Sequence, residues 1–200
     1  MCTFEAQFWN MALATFVKIG GINNLSDARY CAGMEVNQLG FNIEHEHENY
    51  TSSKDFDEIA NWVSGVEFVG EVESSTNIAE LIAGYNIQAI EIHLKEQLEP
   101  AFATGLQVIF RTNDAELIQE LTTSETRITY FIFDGDAQAI SKTGKVLVTA
   151  GFEANGIKDF VASTGVKGLA LQGGNEIRPG FKDFDELADI LEALDVDEFA

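Results

Sequence analysis

Glu91 and His93 stand two residues apart in the β-rich run Ala89–His93, so both side chains leave the same face of a strand. A carboxylate and an imidazole that face one another can share acid and base work. They can equally be a hydrogen-bonded polar pair that holds an interior together. Lys18 and Gly20 share a face of the run that opens the chain's regular structure. A lysine turned inward needs a carboxylate partner; its chemical use is Schiff-base formation, its structural use a buried ion pair. In Glu44-His45-Glu46-His47-Glu48 both imidazoles fall on one face if the segment is extended. A divalent metal would need a third, distant ligand there; the plainer reading is a solvated loop, and no metal or cofactor is assigned. Ala150-Gly151 and Gln172-Gly173-Gly174 can aim backbone N–H groups at an anion, because glycine lets the backbone come close. Two ordinary glycine turns are the alternative.

The elements that must position these residues alternate along the chain. Strands are expected at Thr15–Ile19, Val36–Ile43, Val66–Val72, Ala89–His93, Gln107–Arg111, Ile128–Phe133, Val146–Thr149 and Lys167–Leu171. Helices are expected at Leu25–Met34, Lys54–Ser64, Ile78–Tyr85, 96–104, Asp114–Leu121, Ile157–Ser163 and Phe184–Leu194. Asn24, Ser26 or Asp27 and then Ser52 or Ser53 offer caps for the first two. The stretch 134–145 leaves room for only a short sixth helix, or none. Strands alternating with helices predict a parallel sheet, and so many units in one domain favour closure into a (β/α)8 TIM barrel of α/β class. An open doubly wound sheet is the rival, weakened because Gly20-Gly21-Ile22-Asn23 does not match the dinucleotide fingerprint. The expected division is an N-terminal extension over 1–14, a barrel over 15–194 and an acidic tail over 195–200 that frays.

Composition bounds the partners. The chain has 200 residues, 46% of them hydrophobic, and a formal net charge of −21. That charge repels nucleic acid and anionic membrane surfaces. No apolar run reaches the ~18 residues of a membrane span. Two cysteines, Cys2 and Cys31, make neither a disulfide framework nor a zinc pattern, and a cytoplasmic location is the default reading. Met1–Asn10 lacks a basic flank and carries Glu5, a poor secretory signal. Cys31 reads as a buried helix residue, and the aromatic residues, Trp62 included, as core where helices pack on strands.

Several segments, in order, resemble the phosphoribosylanthranilate isomerases. Val17-Lys18-Ile19-Gly20-Gly21-Ile22 with Asp27-Ala28 is similar to that family's opening, which reads lysine, apolar, cysteine, glycine, isoleucine. Leu39-Gly40-Phe41-Asn42 resembles the second strand, and Ile90-Glu91-Ile92-His93 the fourth, normally Gln-Leu-His. Phe131-Ile132-Phe133-Asp134 resembles the sixth and Thr149-Ala150-Gly151-Phe152 the seventh. Leu171-Gln172-Gly173-Gly174-Asn175-Glu176 with Pro179-Gly180-Phe181-Lys182-Asp183 resembles the eighth and its tail.

The resemblance implies an Amadori rearrangement of N-(5'-phosphoribosyl)anthranilate in tryptophan biosynthesis, with an aspartic acid as general acid and a cysteine thiolate as base. Asp134 matches the acid, or else caps the next turn. Gly20 matches the base, and glycine cannot take a proton. Asn49 stands where the family places an arginine, and the loop Gly135–Gly144 is shorter than the family's. Glu44, Glu46, Glu48, Glu71 or Glu73, Glu91, Asp134 and Asp136 predict an acidic mouth that Lys18, Lys95, Arg178 and Lys182 only partly offset. The resulting expectation is a diverged isomerase homologue, impaired in its chemistry. Its small phosphorylated ligand would lie on Ala150, Gly151, Gln172, Gly173 and Gly174 with His93. An active isomerase with a relocated base such as Glu91, or a non-catalytic structural or regulatory partner, are the alternatives. The resemblance leaves monomer or homodimer open.

Overall fold

The computed structural model describes residues 13–140, 144–173, 176–178, 181–182 and 185–196. Cys2, Asn175, Pro179, Gly180, Gly174 and the end of the acidic tail lie outside the described residues. Eight strands close into a barrel in chain order, every neighbouring pair parallel. They are β1 (Phe16–Gly20), β2 (Gln38–Asn42), β3 (Glu67–Val72), β4 (Ala89–Ile92), β5 (Gln107–Thr112), β6 (Ile128–Asp136), β7 (Val146–Ala150) and β8 (Gly168–Gln172). Closure comes from β8 pairing with β1 over Phe16–Gly20 and Gly168–Gln172. The expected barrel is therefore observed, and the open-sheet rival is not.

Helices α1 (Leu25–Gly33), α2 (Ser53–Ala60), α3 (Ile78–Leu81), α4 (Leu98–Phe102), α5 (Ala115–Ser124) and α6 (Ile157–Thr164) follow the first five strands and the seventh. A final helix, α7 (Asp185–Leu194), follows β8. The starts of α1, α2 and α5 are set by side chains that satisfy the free N–H groups of a first turn. Asn24 accepts from the Asp27 amide at 2.9 Å, Ser52 from Asp55 at 3.2 Å, and Asp114 from Glu116 and Leu117. Between β6 and β7 the described residues hold only a single 3-10 turn, Ala137–Ala139, in place of a sixth helix.

Strand alternation divides the core in two. Val69, Ala89, Ile109, Tyr130, Ile132, Leu147 and Ala170 pack inside the barrel with Phe16 against them. The other faces pack on the helices, where Phe56 of α2 meets Phe41 and Phe68 edge to face. Trp62 departs from its expected core position and is 70% exposed. Helix α2 ends at Ala60, so its period no longer directs residue 62, and Val63 takes the packing place instead. Cys31 is buried on α1 as expected. Leu13 bridges Asp195 and the Ala14 amide donates to Leu194, which joins the segment before β1 to the end of α7. A two-stranded hairpin that sequence patterning does not predict, β9 (Glu176–Arg178) with β10 (Phe181–Lys182), follows β8. Among the described residues no helix is long and apolar enough to cross a membrane.

Candidate active site at the barrel mouth

A chain of charges crosses the inner wall toward the C-terminal ends of the strands. In the β3–β4 pairing Glu71 and Glu91 are direct partners, so two carboxylates stand side by side. Like charges that close destabilise one another. Lys18 of β1 lies between them, its Nζ 2.5 Å from Glu71 Oε1 and 2.6 Å from Glu91 Oε2. Glu91 also meets Arg111 Nη1 at 3.3 Å and His93 Nε2 at 3.4 Å. Arg111 of β5 then grips Asp134 of β6, Nε to Oδ2 at 2.7 Å and Nη2 to Oδ1 at 2.8 Å. Below this layer Gln38 donates to Glu67 at 2.9 Å and accepts from the Tyr130 hydroxyl, closing the floor with polar groups that are mutually satisfied.

Burial sets the protonation of the chain's centre. The Lys18 and Glu91 side chains are each 1% exposed. Desolvation works against the charge of Lys18, yet Glu71 and Glu91 outweigh it and raise its pKa above the ordinary lysine value. Desolvation likewise opposes the charge of Glu91, and Lys18, His93 and Arg111 overcome it, holding its carboxyl far below the usual carboxylate range. The Arg111 guanidinium, also desolvated, is raised by Asp134 and Glu91. Glu91 is thus an ionised, enclosed carboxylate at the centre of an ion-pair network.

Part of the expected acidic mouth is paired. Glu71, Glu91 and Asp134 are met by Lys18 and Arg111, three carboxylates to two cations. Arg111 is not among the residues that sequence patterning singles out, although its place two residues after the inward Ile109 carries the signal. Lys95, expected to offset the mouth, pairs with Glu120 instead. Glu44 is not a free mouth charge either. Its carboxylate accepts from the backbone of Glu73, Ser74 and Ser75 and from the Ser74 hydroxyl. Partial burial alone would raise its pKa, but these donors lower it. The His45–His47 segment is a turn rather than extended, and the two imidazoles have different neighbours. His45 lies against Tyr50, while His47 accepts from the Asn49 amide and approaches Glu73.

Gly20 ends β1 beside the network. A Cβ built there would stand 2.7 Å from Glu71 Oε1, so the room of a side chain at this position is already taken. Glu71 Oε2 accepts from the Gly21 amide at 3.1 Å. Across the mouth, Ala150 ends β7 and Gly151 turns the chain at φ +88. Gly151 lines a cavity of about 430 Å³ with Phe152, Glu153, Asn155, Gly156 and Phe160. Gln172 ends β8 exposed, in register with Gly20. The Gly173 amide donates to the Gly20 carbonyl at 3.3 Å, so this N–H already has an acceptor.

A closed eight-stranded β/α barrel with an ion-pair cluster at the C-terminal ends of its strands is the class that fold and site define. Among solved structures the chain is similar to phosphoribosylanthranilate isomerase from Thermus thermophilus, with a TM-score of 0.74 and 22% identity, covering 90% of this chain and 98% of that one. It is similar in the same way to the isomerase from Thermotoga maritima, with a TM-score of 0.70, 19% identity and the same coverage. Another such isomerase, solved with reduced 1-(o-carboxyphenylamino)-1-deoxyribulose 5-phosphate, matches with a TM-score of 0.70 at 20% identity, over 90% of this chain and 98% of that one. These likenesses bear out the resemblance at the level of the fold. No protein-family model and no curated protein matches the chain.

Proposed function

We propose that this barrel is a diverged relative of the phosphoribosylanthranilate isomerases, impaired in their rearrangement and retaining a seat for a small phosphorylated ligand. One observation carries the reading: the two places that the rearrangement needs are occupied by the chain itself. Glu71 takes the room of a side chain at Gly20, and Arg111 engages both oxygens of Asp134. Loss of a positioned base typically costs ~10²–10⁴-fold in rate. An aspartate turned wholly onto an arginine must leave it before it can meet a sugar ring oxygen.

The ligand would lie on Ala150, Gly151, Gln172, Gly173 and Gly174, with His93 toward the mouth. Gly151, with its positive φ and the cavity beside it, supports that part of the reading. The test is turnover of N-(5'-phosphoribosyl)anthranilate by the purified protein, alongside crystals soaked in inorganic phosphate. Turnover at least ~10²-fold below an ordinary isomerase, with an ion seated at Gly151, is expected. Ordinary turnover would sink the impairment, and an empty turn would sink the ligand.

A relocated base is the second reading, favoured by His93 standing 3.4 Å from Glu91. It expects measurable turnover that Glu91→Gln abolishes. Enclosure of Glu91 by two cations counts against it.

A further inference from the structure

Lys18 Nζ and the Gly21 amide converge on one spot at the end of β1, and the Glu71 carboxylate fills it with one oxygen on each. Glu71 reaches that spot from β3 by crossing β2 over Gly40. A Cβ at Gly40 would overlap Glu71 Oε1 and stand 2.8 Å from Lys18 Nζ. At Gly20 a Cβ would stand 2.7 Å from Glu71 Oε1 and 3.5 Å from Lys18 Nζ. Gly20 does not have a positive φ, so its backbone would accept any residue, and what opposes one is the Glu71 carboxylate. An anionic side chain at position 20 would reach the same ammonium and compete with Glu71 for it.

We infer that Lys18 and the Gly21 N–H form an anion seat, that Glu71 is its resident in this chain, and that its residence holds position 20 at glycine. The choice of cysteine as the probe rests on the proposed descent from a cysteine-bearing barrel; the seat rests on Lys18, Gly21 and Glu71. Glu71 is a positioning residue here. It neutralises Lys18 from one side while Glu91 does so from the other. A thiol at position 20 would crowd Glu71, and its thiolate would be a third anion on one ammonium. Shortening Glu71 frees both the room and the charge for a thiolate.

The test uses the full chain carrying Cys2→Ser, in which Cys31 is the remaining native thiol and is buried. Gly20→Cys, Glu71→Ala and their combination are compared by thermal unfolding and by thiolate absorbance against pH. Gly20→Cys alone is expected to lower Tm by several degrees, and adding Glu71→Ala to recover most of that loss. The thiol of the combined variant should titrate at least one unit below the ordinary ~8.5, and that of the single variant at or above it. Equal tolerance of Gly20→Cys with and without Glu71, or an ordinary thiol in the combined variant, overturns the inference. If the cysteine variants do not fold, Gly20→Ala with and without Glu71→Ala decides the steric point by the same unfolding comparison. None of these readouts uses substrate, so turnover assayed in the same samples judges the proposed function separately.

Discussion

Arg111 holds Asp134 through two parallel hydrogen bonds and reaches Glu91 with the same guanidinium. One side chain therefore joins the enclosed part of the network to its open rim. Arg111 is 15% exposed and Asp134 37%, so the two ends of this contact should differ in worth.

Asp134→Asn should cost about 1 kcal/mol, since solvent screens the rim. Arg111→Met should cost about 3 kcal/mol, because it strips a partner from enclosed Glu91. Urea unfolding of both variants measures the difference. Equal losses would mean that the Glu91 contact carries little.

The Glu91 and Lys18 shifts predict stability loss at both ends of the pH scale. Glu91 titrates lower in the folded chain than unfolded, so its contribution is whole above the unfolded carboxylate value near 4.5 and is lost as pH falls below it. Lys18 titrates higher when folded, so its contribution is whole below about 10.5 and is lost as pH rises beyond that. Glu91→Gln should be less stable at neutral pH by about 3 kcal/mol. Its stability should also fall less steeply than the parent's in acid, by up to ~1.4 kcal/mol per pH unit. Unfolding midpoints between pH 2 and 6 check this; parallel curves would refute it.

Glu44 joins the loop after β2 to the loop after β3. Glu44→Ala should cost about 1–2 kcal/mol by leaving the amides of residues 73–75 without their acceptor. Hydrogen exchange at those amides should speed up, while exchange in β5 and β6 stays unchanged. Uniform acceleration across the barrel would show that the clamp is not local.

Trp62 and Phe56 should behave oppositely although both are aromatic residues of one segment. Trp62→Ala should change stability by less than ~0.5 kcal/mol, because the ring is exposed. Phe56→Ala, which empties a fully buried site, should cost about 3–5 kcal/mol. Denaturant midpoints with an unchanged m-value are the check.

The barrel is legible in the amino-acid sequence because its cause is local and repeated. Each of the eight expected strands is present, with no end displaced by more than three residues. Val36–Ile43 narrows to Gln38–Asn42, and Ile128–Phe133 runs on to Asp136. The short sixth connection is readable as chain length alone. The third and fourth helices are shorter than expected, since a helical pattern shows where a helix is allowed and packing decides how far it runs.

The site is legible only in part. Alternation along a strand sends Lys18, Gly20, Glu91 and Asp134 inward, and that much follows from residue order. Which carboxylate meets which cation depends on strands far apart in sequence. Lys18 and Glu71 are separated by 53 positions, and Arg111 and Asp134 by 23. Barrel closure and register bring them within hydrogen-bond reach. Carboxylates that stand far apart in residue order thereby join one network, and the space beside Gly20 becomes a place filled by Glu71. By itself the sequence determined the strands, their inward faces and the glycine at position 20. The tertiary structure alone decided the pairing, because distance and desolvation, which set the strength of a charge contact, exist only once the barrel is closed.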